Sequence, residues 1–198
     1  MNYTQILDYW FGNLKNNDFF PARKAKIWYR KDVEVDKYIS ENFREIWELA
    51  QKRQLGSWQE DVRGMLAIII VLDQFSRHMF RQKPEAYAED TYCVELCLQT
   101  LPKKQQLLTV EKAFLYMPLQ HSENLDLQEK SVVYYRKLVE ESHSKIREQI
   151  YAFYDYAAAH CDIIKRFGRF PHRNVILGRT STKEEQLFLQ KRGLSYFS

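Results

Sequence analysis

The chain has 198 residues, 45% of them hydrophobic and 15% aromatic, with 30 Lys and Arg against 26 Asp and Glu for a net charge of +4. That apolar content excludes a disordered chain, and six scattered glycines are too few for the frequent turns of an all-β sandwich. No linker or low-complexity tract interrupts it, so one domain over 1–198 is expected, and its interspersed charges disfavour a nucleic-acid partner, which would call for a basic stripe.

The opening stretch has no basic region leading into an apolar run, which predicts no signal peptide and a cytoplasmic protein. Thr4 suits the N-cap of a short helix stopped by Gly12. After an aromatic loop containing Phe19, Phe20 and Pro21, Asp32 is placed to cap a helix in which Ile39, Phe43, Ile46, Trp47 and Ala50 recur at helical steps, up to Gly56. Ser57-Trp-Gln-Glu60 reads as a capping box opening a helix over 58–80 that is apolar nearly all round at 65–72, the pattern of a helix surrounded by others. That run of eight residues is far short of the roughly twenty a membrane span needs, so no membrane partner is expected.

Pro84 suits the first turn of a helix running to about Thr100. Its Cys93 and Cys97 share a face and read as small buried hydrophobes rather than half a metal site. Thr109 caps a further helix that Pro118 must kink or break. Asn124 or Asp126 starts one through Glu141, a long one follows from about His143 to Arg166, and Thr182-Lys-Glu-Glu185 is a capping box for a last helix ending at Gly193. The fold class is therefore all-α, a stack of antiparallel helix hairpins joined by short loops.

Several polar residues stand where packing alone would not put them. Asp73 follows Val62, Leu66 and Ile69 on an apolar ridge, where a carboxylate is costly unless paired. Arg77, one turn later, is the partner expected, with Gln74 and Arg81 nearby. His160 sits on the apolar stripe of Phe153, Tyr156, Ala157, Ile164 and Phe167. Asp162 and Arg166 form another pair four residues apart, and His121 and Glu123 follow the break at Pro118. The segment Arg166-Phe-Gly-Arg-Phe-Pro-His-Arg-Asn174 alternates cations and aromatics: Arg166, Arg169, His172 and Arg173 could grip a carboxylate or phosphate, while Phe167 and Phe170 could anchor the turn in the core. None of the patterns for zinc ligation, a phosphate-cradling loop or a nucleophile elbow is present, and no cofactor is expected.

Four segments resemble the bacterial family of unknown function labelled DUF924: Ile6-Leu-Asp-Tyr-Trp-Phe-Gly12, Leu72-Asp-Gln-Phe-Ser-Arg-His-Met-Phe-Arg81, Ala113-Phe-Leu-Tyr-Met-Pro-Leu-Gln-His-Ser-Glu123, and Arg166–Asn174 with the Leu177–Thr182 string. The family usually has proline where this chain has Ser76. The resemblance spans nearly the whole chain and implies a tetratricopeptide-like superhelix of antiparallel helix pairs; it supplies no activity, substrate or cofactor. The residues themselves support three readings: a module binding an anionic small molecule or peptide carboxylate, an interaction scaffold, or an enzyme using His121 or His160 with Glu123 or Asp73 as general acid and base.

Overall fold

The computed structural model describes residues 1–29 and 31–192, and every regular element among them is helical. Helix α1 (Tyr3–Phe11) is capped by Asn2 rather than Thr4. The Asn2 side chain accepts the Thr4 N–H while Gln5 reaches back to the Asn2 N–H at 2.9 Å. It ends at Gly12, whose φ of +68° a residue with a Cβ rarely adopts. Helix α2 (Ala22–Tyr29) fills a stretch where the sequence pattern shows none; it is short, and tertiary contact holds it, with the Trp28 indole donating to the Trp10 carbonyl at 3.1 Å. Asp32 caps α3 (Val33–Gln51), which buries the five residues its spacing points to.

The rod expected over 58–80 is divided. Gly56–Glu60 is a 3₁₀ turn, so the Ser57–Glu60 capping box does not form. Asp61 instead caps α4 (Val62–Ile69) by accepting the Arg63 and Gly64 N–H groups at 2.7 and 3.3 Å. A π turn (Ile70–Phe75) and α5 (Ser76–Met79) complete it. The turn crosses α4 so closely that a Cβ on Gly64 would run into the Trp58 carbonyl oxygen. Alanine gains about 1 kcal/mol of helix propensity over glycine, but backbone collision costs about 1–3 kcal/mol. Gly64→Ala is therefore expected to be net destabilising in urea unfolding; a variant as stable as the parent would show that the turn yields freely.

After a 3₁₀ turn at Pro84–Ala86 comes α6 (Asp90–Thr100), then α7 (Thr109–Leu115) and α8 (Met117–His121), which part at Tyr116 with Pro118 in the first turn of α8. Thr109 is not the cap: its N–H and hydroxyl both donate to Asn17 Oδ1, and Glu111 takes the Leu108 N–H. Helix α9 (Leu125–Glu141), capped by Asn124, and α10 (Arg147–Phe167), which begins four residues later than His143, form an antiparallel hairpin across residues 142–146. The reciprocal Thr182–Glu185 box opens α11 (Lys183–Arg192) with bonds of 2.7 and 3.2 Å; its expected stop at Gly193 lies outside the described residues.

Helix α4 runs through the centre, buried at every position but Arg63 and flanked by α1, α6 and α7. Around its ends Trp10, Trp28, Phe75, Phe114 and Phe153 interlock edge to face, for example Trp28 on Phe114 at 4.6 Å. Each such ring contributes about 1.5–3 kcal/mol by burial. The segment after α10 joins a second, small cluster of Ile163, Ile164 and Phe170, with Phe167 and Phe188 packed on it. Cys93, Cys97 and Cys161 are free and buried. Among the described residues no helix is long and apolar enough to cross a membrane.

Candidate functional site

The widest departure from regular α-helix in the central rod coincides with its buried carboxylate. A π turn inserts a residue and frees a carbonyl from the regular ladder, and such turns recur where proteins place functional groups. Here it holds Asp73, whose side chain is fully buried. Arg77 Nη1 grips Asp73 twice, donating to its carbonyl oxygen at 2.6 Å and pairing with Oδ1 at 3.1 Å. The Gln74 amide donates to Oδ2, and the His121 Nδ1–H donates to Oδ1 at 2.8 Å. Burial alone would raise the Asp73 pKa, but the charge of Arg77, with the hydrogen bonds from His121 and Gln74, more than offsets it and holds the carboxyl well below the usual range.

Asp90, at the start of α6, was not apparent as a site residue from the sequence and is the hub of the arrangement. It accepts both bonds of the Arg77 Nη2 fork, at 3.0 and 3.2 Å, and one from Arg173 Nη1 at 3.1 Å. Seventeen residues from Asp73 and eighty-three from Arg173, it leaves no local spacing to find it by. The Arg173 guanidinium lies between the rings of Tyr87 and Phe170, 4.5 Å from each centroid. Its Nε is buried without a partner among the described residues. Burial pushes the Arg173 pKa down and Asp90 offsets this only in part, so its charge is under-compensated.

His121 and Arg173 face an open cleft of about 510 Å³, walled also by Tyr87, Asp90, Glu123 and Leu177. Glu123 does not meet His121: it accepts both Arg179 nitrogens at 2.6 and 2.9 Å and the Phe170 N–H at 2.8 Å, tying the 170–179 segment to the end of α8. Burial would raise its pKa, but those bonds lower it. Burial lowers the pKa of His121, and Asp73 resists this only partly, so the ring is neutral at pH 7. His160 lies behind, its ring 6.2 Å from that of His121, with Nδ1 bonded to the Gln120 carbonyl. Burial and the neighbouring His121 push His160 down to about 3, and burial with Arg173 pushes His172, whose ring rests against Phe170, down to about 2.

Four residues expected at the site lie elsewhere. The pair Asp162–Arg166 is not formed: Asp162 is exposed, and the Arg166 fork turns to Glu184 on α11 at 2.7–2.8 Å. Arg169 likewise takes Glu185 with both Nε and Nη2, because the α11 capping box brings those acids over the end of α10. Arg81 points away from Asp73 to Asp36 on α3, in a triad with His78 whose bonds to Asp36 are all 2.7 Å. Among the described residues no group of three or more His, Cys, Asp or Glu side chains has an arrangement that could hold a metal ion.

A family model described as a bacterial protein of unknown function (DUF924) matches residues 6–193. A solved structure of a protein of unknown function from Agrobacterium tumefaciens superposes with a TM-score of 0.81 at 28% identity, over 96% of this chain and 97% of that one. No curated protein matches the chain.

Proposed function

The chain belongs to the DUF924 family of bacterial proteins of unknown function, and from the site itself we propose that the cleft binds a small anionic molecule bearing a carboxylate or phosphate. The observation that carries this reading is Arg173, more than nine-tenths buried, 4.5 Å from two ring centroids, lining the cleft and sharing its partner Asp90 with Arg77. A guanidinium so placed has lost much of its rotamer entropy in advance, which favours a planar two-oxygen ligand. Arg77, Gln74 and Asp73 act from behind the wall by fixing His121 and Asp90. Arg166 and Arg169 serve to fasten α11. A cleft of this volume suits a metabolite and sets this reading above a scaffold, whose mark would be an aromatic groove without a pocket. The tetratricopeptide-like stacking expected from the resemblance is kept as part of the proposal, supported by the α9–α10 hairpin.

Isothermal titration with citrate, succinate and inorganic phosphate tests the reading. Saturable binding of at least one is expected. Arg173→Lys, which keeps the charge and loses the fork, should weaken it about ten- to a hundredfold, the worth of a charge-assisted bond of about 1.5–3 kcal/mol. Binding unaffected by Arg173→Lys, or none of the three anions bound, sinks it.

A further inference from the structure

His121 has one ring nitrogen committed and the other turned to use. The Asp73 carboxylate is ionised and can only accept, so Nδ1 carries the proton and Nε2 of the neutral ring holds the lone pair. The side chain is 12% exposed and is part of the cleft wall. No hydrogen bond to Nε2 occurs among the described residues. Asp73 in turn is immobilised by Arg77 and Gln74. This is an orienting carboxylate behind an imidazole that opens on a pocket, with a cation across it at Arg173. The adjacent Ser122 hydroxyl accepts the Asn124 N–H at 3.2 Å, in the turn that leads into α9. The base is therefore not mated to a nucleophile, and the arrangement is one for proton transfer rather than acyl transfer.

We propose that the cleft is catalytic, with Asp73 positioning His121 so that its Nε2 removes a proton from a carbon acid, a C–H beside a carbonyl in a small anionic substrate held by Arg173. The C–H bond breaks and an N–H bond forms at Nε2. The electron pair stays on the substrate as an enolate whose oxygen lies toward Arg173, and the imidazolium is stabilised opposite Asp73 until it returns the proton. One base both removes and returns it, so no co-reactant is needed. The proposal rests on the anion-binding reading for its substrate, but not for its base.

The test uses 5-nitrobenzisoxazole, an uncharged carbon acid. Its ring proton passes to Nε2, the C–H electrons become part of the nitrile, and the N–O bond breaks to leave a coloured phenolate that retains its electron pair. Saturable turnover above the buffer rate is expected, at least about a hundredfold lower in His121→Gln, and unchanged in His143→Gln, an exposed histidine far along the chain. Modification of the wild-type protein by diethyl pyrocarbonate, mapped to His121, should abolish turnover in step, which guards against a variant that folds poorly. A structural role for Asp73 would leave the pH profile in place. A positioning role predicts that Asp73→Asn lowers the plateau and moves the midpoint to lower pH, because the carboxylate that raises the imidazole's affinity for a proton is gone. Turnover independent of His121 overturns the proposal. Anion binding without turnover sinks this inference alone, and turnover without anion binding sinks the binding reading alone.

Discussion

Replacing Asp73 with alanine is expected to cost about 3–5 kcal/mol, the price of breaking a buried ion pair by removing one partner, which in a chain of this size lowers Tm by roughly 6–20 °C. The loss has three parts. Arg77 keeps Asp90 but loses both its pairing with the carboxylate and the fixed geometry of the turn, His121 loses the acceptor for its Nδ1–H, and a cavity opens in a fully buried position. Asp73→Asn, which preserves shape and an acceptor oxygen, should cost less than alanine. The double variant Asp73→Ala with Arg77→Ala should cost less than the sum of the singles, since each deletion strands the other charge. Guanidinium unfolding followed by tryptophan fluorescence measures all of these. A loss below about 1 kcal/mol for Asp73→Ala would mean the carboxylate is poorly paired and would remove the electrostatic basis of the site.

The helix boundaries legible in the sequence are those set by local chemistry. Asp32, Asn124 and the Thr182–Glu185 box cap where their side chains can reach the first free N–H groups, a matter of three residues. The Asp73–Arg77 contact is legible for the same reason: both sit on one helical face. Longer-range features were not. The 3₁₀ turn displaces the Ser57–Glu60 box because α4 needs close passage at Gly64, a tertiary demand. The π turn has no composition of its own; Ile-Val-Leu-Asp-Gln-Phe reads as ordinary buried helix. The sequence offers Asp162 or a ligand to Arg166 and a ligand to Arg169, yet α11 folds back to supply Glu184 and Glu185. The cationic segment thus divides in function: its first two arginines are a clasp, and the third, Arg173, is delivered by that clasp to Asp90 and the cleft.

Lowering the pH from 7 toward 5 is expected to destabilise the protein before most carboxylates protonate. His121, His160 and His172 are all depressed by burial, the latter two to about 3 and about 2, while in the unfolded chain each titrates near its ordinary value of about 6.5. Below that value the unfolded state binds protons that the folded state refuses. Their stabilisation is fully present above about pH 6.5 and is lost as pH falls toward the folded values, at up to about 1.4 kcal/mol per pH unit for each histidine. A second phase follows lower down. Asp36 and Glu185 are both held at about 2, Asp36 against burial by His78 and Arg81, Glu185 mainly by its bond from Arg169. Their contribution persists until pH falls below the ordinary carboxylate range of about 4. Urea midpoints at pH 7, 6 and 5 should therefore decline steadily, and His160→Gln should flatten the decline by up to one histidine's share. A midpoint constant over that interval would contradict neutral, buried histidines. Burial that makes folding sensitive to acid also keeps His121 unprotonated at neutral pH. Acid should then limit turnover through unfolding as much as through protonation of the base, and the two separate only if the pH profile is measured where the urea midpoint is still high.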